Sequence, residues 1–273
     1  MVESRIRDGS RITATKHFDS MGEFQKYLAE TALNEIFRWG KLSSTDYYYG
    51  FNKTKTYDEA QDLAKNGWED MAKKLTQILK VSENQFGAKA VSRNYYDVGG
   101  FQANVPRYLQ NIPTNMVNSK KVIQRAKVIT IIKNISYNSG TSEQEIIDNS
   151  IKALQIVKAI EEKGIRVNLE IMFGGFVQNE GMIHKIKIKQ ASERTNISKL
   201  AFAMVHPDML RRLMFRAIEV NDYIKQSDWK YGYGSPMKTY DQMKPYLKKD
   251  EYFLNSFIPD VKLEVERIQK GLK

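Results

Sequence analysis

The stretch that decides the fold covers residues 127–176 and reads KVITIIKNIS, YNSGTSEQE, IIDNSIKALQIVKAIEEKG and IRVNLEIMFGGF. Residues 128–135 form a nearly continuous apolar run, as expected of a strand that is buried on both faces. Ser142 and Glu145 form a capping box, and apolar residues then recur at helical spacing until Gly164. The alternation after this glycine predicts a second strand. The stretch therefore predicts a strand, a polar loop, a helix and a parallel strand.

Composition sets the limits for the rest of the chain. Its 273 residues are 41% hydrophobic, which is enough to bury a sizeable core in one large or two smaller domains. The absence of cysteine excludes disulfides, thiolate catalysis and cysteine-ligated zinc. No N-terminal apolar run resembles a signal peptide or a membrane span, so we expect a cytosolic protein without a membrane partner. The formal charge of +11 is spread along the chain, and a diffuse surplus attracts polyanions only weakly.

Upstream of the deciding stretch, the sequence predicts a mostly helical region with one hairpin. Apolar residues at helical spacing follow the capping residues Ser20 and Thr56, and Gly67 interrupts the second of these patterns. Residues 90–105 alternate around a Gly-Gly turn, which predicts a β-hairpin. Residues 1–19 are mixed and polar, which predicts a loose or docked arm.

Downstream, isoleucines and lysines alternate in IHKIKIKQ at residues 183–190. We expect an antiparallel edge strand whose lysines prevent edge-to-edge pairing. Helices, a last strand and a terminal helix follow. The expected division is a smaller helical N-terminal region with a hairpin over residues 1–120, and an α/β domain with a mainly parallel sheet flanked by helices over residues 121–273.

The order of elements across residues 127–273 resembles the von Willebrand factor A-like fold. In that family the loop after the first strand carries Asp-x-Ser-x-Ser, whose oxygens form a metal-ion-dependent adhesion site. The matching residues here are Asn134, Ile135, Ser136, Tyr137 and Asn138. An amide in place of the first carboxylate removes the charge that offsets the dehydration of magnesium. We therefore expect a degenerate motif with no metal ligand and no cofactor, and weak magnesium binding is the alternative.

Three longer blocks are similar to an uncharacterised family of unknown function that tailed bacteriophages encode. They are FNKTKTYDEAQDLAKNGW at residues 51–68, VGGFQANVPRYLQNIP at 98–113 and LAFAMVHPDMLRRLMFRAIE at 200–219. The resemblance implies a phage origin, and with it a place in the host cytoplasm or in the virion. It implies no activity.

Recognisable catalytic motifs are absent from the sequence. There is no Walker loop, no Gly-x-Gly-x-x-Gly after a strand, no His-Glu-x-x-His and no Gly-x-Ser-x-Gly. His17, His184 and His206 are far apart, and none has an acidic partner at a recognisable spacing. We therefore predict a non-catalytic interaction module with no catalytic residue. The alternative from another class is a metal-dependent nuclease that uses carboxylates scattered in sequence.

The loop after the first strand is the expected site for a partner or an anion. Ligands enter α/β sheets at the carboxyl ends of parallel strands, and the following helix points free amides toward that opening. The candidate residues of this loop are Asn134, Ser136, Asn138, Ser139 and Ser142.

The denser basic clusters are the expected contacts for nucleic acid, held through its backbone because no base-reading motif is present. Arg212 and Arg216 are four residues apart in a predicted helix, which suits an anion clamp. The alternative is a virion or assembly protein whose basic surface binds an acidic protein. The candidate residues are Lys120, Lys121, Arg125, Arg211, Arg212 and Arg216.

Overall fold

The computed structural model divides the chain into two compact units. The main unit comprises Met1–Phe86 and Val128–Lys273, and the small unit comprises Gly87–Lys127. This division differs from the expected boundary at residue 120, because the N-terminal residues belong to the main unit. The structure describes residues 1–37, 53–79, 91–122, 127–138, 140–193, 195–225, 227–229, 233, 235–237 and 239–272.

A seven-stranded mixed sheet forms the centre of the main unit. In spatial order its six consecutive strands are β1 (Val2–Asp8), β2 (Arg11–Phe18), β8 (Glu180–Lys189), β7 (Arg166–Val177), β6 (Val128–Asn134) and β10 (Glu251–Leu254). Three of the pairs between them are parallel and two are antiparallel, and a short strand, β9 (Ser235–Pro236), joins the side of β7. The prediction of a mixed α/β fold with a mostly parallel sheet and flanking helices is confirmed.

The deciding stretch folds as its sequence predicts. Strand β6 lies between β7 and β10, and its buried residues Ile129, Ile131 and Ile132 point to both faces. Helix α5 (Glu143–Glu161) begins at the Ser142 capping box. Gly164, with φ of +81°, reverses the chain into β7, which runs parallel to β6.

The prediction of a loose or docked arm at residues 1–19 is wrong, because most of these residues form two strands. Strands β1 and β2 form an antiparallel hairpin, and β2 also pairs in parallel with β8. The strand was missed because its buried positions include Thr13, Thr15 and Lys16, whose polar side chains hide the alternation of apolar residues.

Strand β8 is therefore not an edge strand, and the prediction of an edge strand at residues 183–190 is wrong. Its lysines form ion pairs and do not serve to prevent edge-to-edge pairing. The Nζ atom of buried Lys185 lies 2.7 Å from Glu251 Oε2, and that of buried Lys189 lies 2.7 Å from Glu161 Oε1. Each pair joins β8 to another element of the main unit.

Helices pack around this sheet and share its apolar core. Gly67, with φ of +97°, separates α2 (Tyr57–Asn66) from α3 (Glu69–Leu79), so the predicted break is confirmed. Asp260 caps the terminal helix that the sequence predicts. No helix among the described ranges is long and apolar enough to cross a membrane. The other helices of the main unit are α1 (Met21–Glu30), α5, α6 (Ile197–Val205), the π-helical turn Met209–Met214, α7 (Phe215–Glu219), Tyr240–Met243 and the terminal helix Val261–Gly271.

The small unit is a three-stranded antiparallel sheet with one short helix, α4 (Val105–Leu109). Its strands lie in the order β3 (Val91–Asp97), β5 (Met116–Val122) and β4 (Gln102–Ala103). The predicted hairpin is wrong, because β3 and β4 each pair with β5 and not with one another. A Cβ atom on Gly100 would lie 2.2 Å from the carbonyl oxygen of Val117. Gly100 therefore permits a close approach to β5.

Candidate functional site

The predicted ligand loop begins at Asn134, which closes the carboxyl edge of β6 from within. The Asn134 side chain is buried, and its Nδ2 donates to the Met237 carbonyl oxygen at 2.8 Å. Its Oδ1 accepts from the Ser136 backbone N–H at 2.9 Å. The amide that replaces the family's carboxylate thus has protein partners on both sides, and it holds the loop in place.

Ser136 is buried as well, and its hydrogen bonds connect the segments of three strands. Its Oγ accepts from the Gly174 N–H at 3.0 Å, at the point where β7 passes the loop. Ser256, just beyond β10, donates its hydroxyl to the Ser136 carbonyl oxygen at 3.0 Å. These bonds use the polar groups that a metal or a partner would need at this edge.

Lys133 adds to this closure and was missed by the sequence analysis. Its side chain is fully buried, and Nζ donates to the carbonyl oxygens of Asn255 at 2.7 Å and Ser256 at 2.6 Å. Burial lowers the pKa of Lys133 well below its ordinary value. The available signal was a single lysine within an otherwise apolar strand.

The remaining loop residues lie at the start of α5. Asn138 is exposed, and its carbonyl oxygen accepts from the Thr141 N–H at 3.1 Å. Ser142 Oγ accepts from the Glu145 N–H at 3.3 Å, so the helix start is capped by its own side chain. Hydrogen bonds from Ser142 lower the pKa of Glu145. Ser139 lies outside the described residues.

The structure places three of the four candidate arginines in or next to the π-helical turn. Arg212 is 1% exposed, and its Nη2 donates to the carbonyl oxygens of Thr54 at 2.8 Å and Lys55 at 3.1 Å. Arg212 therefore connects the residues just before α2 to the π-helical turn. Arg216, the other residue of the expected clamp, has its Nη1 3.6 Å from the buried Glu219 Oε2. Burial lowers the pKa of Arg211 to about 10.

Asp208 and His206 form a buried junction beside these arginines. Asp208 Oδ2 accepts from the backbone N–H groups of Lys53 at 3.0 Å and Thr54 at 2.6 Å. His206 Nδ1 lies 3.9 Å from the same oxygen and accepts from the Asp208 N–H at 3.1 Å. Burial lowers the pKa of His206. An acidic neighbour two residues from a histidine matches no recognised catalytic spacing, so the sequence carries no signal for it. Asp208 connects the segment before α2 to the π-helical turn.

The candidate lysines belong to the small unit, whereas the candidate arginines with described positions belong to the main unit. Lys120 and Lys121 lie in β5, where the register places them opposite Arg93 and Ser92 of β3. Arg125 lies outside the described residues. The two basic clusters therefore belong to different units of the chain.

The small unit presents apolar side chains to solvent. Among residues 94–119, none is buried. Five of the small unit's large apolar side chains have exposed fractions between 61%, for Val105, and 74%, for Leu109. Val105, Tyr108 and Leu109 recur at the spacing of one helical face. We call the following five residues the apolar surface: Val98, Phe101, Val105, Tyr108 and Leu109.

The apolar surface carries little charge. Between Val98 and Asn111 the sequence has a single charged residue, Arg107. Its guanidinium donates to the Thr114 carbonyl oxygen at 2.9 Å and Oγ1 at 3.0 Å, and it lies 4.3 Å from the centroid of the Tyr96 ring. Large exposed apolar side chains with little charge among them are typical of the core of a protein interface.

The described residues form no group of three or more histidine, aspartate or glutamate side chains that could hold a metal ion. By its fold and surface, the chain is a two-unit α/β protein with an exposed apolar surface on its small unit. It belongs to the family defined by a domain of unknown function (DUF7192), whose model matches residues 7–271. No curated protein and no solved structure matches the chain.

Proposed function

We propose that the chain is a non-catalytic interaction module whose small unit binds a protein partner through the apolar surface. The observation that carries the proposal is the exposure of large apolar side chains on a unit with no buried residue among positions 94–119. Complete burial of one such side chain contributes about 1.5–3 kcal/mol. The partner contributes an uncharged apolar surface of its own.

The closed carboxyl edge of the main sheet supports the non-catalytic part of the proposal. Asn134, Ser136 and Lys133 use their polar atoms on neighbouring chain segments. A kinship with the von Willebrand factor A-like fold is part of the same proposal. It is supported by the succession of β6, α5, parallel β7 and antiparallel β8. The similarity of three sequence blocks to phage proteins supports a phage origin, with a place in the host cytoplasm or the virion.

Nucleic acid is the second candidate partner. Its support is the β3–β5 register, which sets Arg93 opposite Lys120 and beside Lys121, so that three basic residues occupy two paired strands. Binding through phosphates would weaken steeply as salt rises. A protein partner held by apolar contacts would show little such dependence.

The deciding experiment removes two side chains of the apolar surface. Proteins captured from host extract by the wild-type chain are purified and titrated against it by calorimetry. We expect the double variant Phe101→Ser with Leu109→Ser to bind the purified partner at least about tenfold more weakly, because about 1.4 kcal/mol of lost contact gives that factor. Leu263→Ser, on the terminal helix and 64% exposed, is the matched control and leaves binding unchanged.

Three outcomes contradict the proposal. The first is equal affinity of the double variant and the wild type for every purified partner. The second is salt-dependent binding of unrelated oligonucleotides that the double variant retains, which favours nucleic acid. The third is cleavage of DNA or RNA in the presence of magnesium or manganese that one carboxylate substitution abolishes, which favours a nuclease.

A further inference from the structure

Strand β3 has one edge without a partner among the described residues. Its other edge pairs with β5 along all seven residues from Val91 to Asp97. Unpaired backbone N–H and C=O groups on such an edge are a template for another strand, unless proline, lysine or a bulge blocks them. Strand β3 contains neither proline nor lysine, and its pairing with β5 runs without a bulge. Tyr95 and Tyr96 are exposed.

The sequence of β3 is complementary to itself in one antiparallel register. A two-fold axis at Tyr95 sets Arg93 of one copy opposite Asp97 of the other, and the reverse pair forms at the same time. The two Tyr95 residues then lie opposite one another. Opposite charges and aromatic rings are favourable cross-strand pairs, and an isologous interface of this kind uses each pair twice. Centring the axis on Asn94 or Tyr96 removes both charge pairs.

We infer that two copies of the chain pair antiparallel through the free edge of β3, with the two-fold axis at Tyr95. The result is a six-stranded sheet that joins two small units. This inference does not rest on the proposed partner, because it uses the edge of β3 and not the side chains of the apolar surface. A dimer would present two apolar surfaces, and a partner with two matching sites would then bind with avidity.

Cysteine cross-linking tests the register, because the chain has no cysteine of its own. Residues that face each other in an antiparallel pair have Cα atoms about 4.5–5.5 Å apart, which a disulfide spans without distortion. We expect Tyr95→Cys to form a disulfide-linked dimer under mild oxidation at low protein concentration. The matched control Leu263→Cys, on the exposed face of the terminal helix, is expected to form no disulfide-linked dimer. Equal cross-linking of both variants, or none in either, overturns the inference.

A charge exchange tests the pairing without a cysteine. Arg93→Asp or Asp97→Arg alone places like charges opposite each other, so each is expected to weaken the dimer at least about tenfold in sedimentation equilibrium. The exchange of both residues restores the opposite charges and is expected to restore the dimer. Circular dichroism shows whether each variant is folded. A wild-type chain that is monomeric at about 100 μM, a concentration that detects even weak pairing, overturns the inference. So does a folded double variant that remains as weak as the single ones.

Discussion

The burial of His184 is expected to make the stability of the whole chain depend on pH. His184 lies on β8 with no exposure, and neither ring nitrogen has a hydrogen-bond partner among the described residues. The rings of Phe18 and Tyr27 lie 6.0 Å and 6.3 Å from it. Burial, with a smaller effect from the charge of Lys16, lowers the pKa of His184 to about 3. The imidazole is therefore neutral at neutral pH.

This residue predicts a dependence of stability on pH. The unfolded imidazole binds a proton near pH 6.5, whereas the folded one binds it only near the pKa of about 3. The unfolded state therefore gains protons first, and stability is lost as the pH falls from about 6.5 toward 3, by at most about 1.4 kcal/mol per pH unit. His184→Phe is expected to flatten this loss in denaturant unfolding at pH 7, 5.5 and 4. Equal losses in the variant and the wild type would contradict it.

Arg212 predicts a loss of stability instead of a loss of nucleic-acid binding. Its guanidinium holds the carbonyl groups of Thr54 and Lys55, and its Nε lies 4.0 Å from Asp208 Oδ2. Arg212→Met leaves a buried carboxylate without this partner, and we expect a fall in unfolding free energy of about 3–5 kcal/mol. The exposed Arg5 is the control, and Arg5→Met should cost about 0–1 kcal/mol. An Arg212→Met variant as stable as the wild type in urea unfolding would refute this role.

At the scale of elements, the break between α2 and α3 is a close contact as well as a turn. Gly67 has φ of +97°, and a Cβ atom there would lie 2.2 Å from Ser198 Oγ at the start of α6. Gly67→Ala is therefore expected to destabilise the chain by more than the roughly 1 kcal/mol that backbone strain alone costs. Gly140→Ala has open space and serves as the control. Thermal unfolding of both variants decides, and equal midpoints would contradict the contact.

Helices could be predicted from sequence more completely than strands. The caps at Ser142, Thr56 and Asp260 mark helix starts by local hydrogen bonds that one sequence window contains. Strand β2 has no such signal, because the buried Lys16 donates to Tyr27 and Asp222, which lie outside the strand. A polar residue looks exposed until its distant partner is known. The same limit hid β5 and placed β8 at an edge.

At the scale of the whole molecule, the sequence predicts where the carboxyl edge of the sheet lies. It does not predict that the polar groups of this edge form hydrogen bonds with neighbouring segments. The polar letters from Asn134 to Asn138 indicate a loop that could hold a ligand, and only the fold shows that Met237, Gly174 and Ser256 close it. The apolar surface was hidden for the opposite reason. Phe101, Tyr108 and their neighbours have the composition of a core, and burial depends on what the rest of the chain places against them.

The central claim is that the small unit, and not the carboxyl edge of the main sheet, contacts the partner. Site-specific photo-cross-linking separates the two, because Tyr108 and Asn138 are both exposed positions at which a benzoylphenylalanine can be introduced. Each labelled chain is irradiated in cell extract, and the cross-linked proteins are identified by mass spectrometry. The account predicts one dominant protein adduct from position 108 and none from position 138. A specific adduct from position 138 with none from position 108 would contradict it.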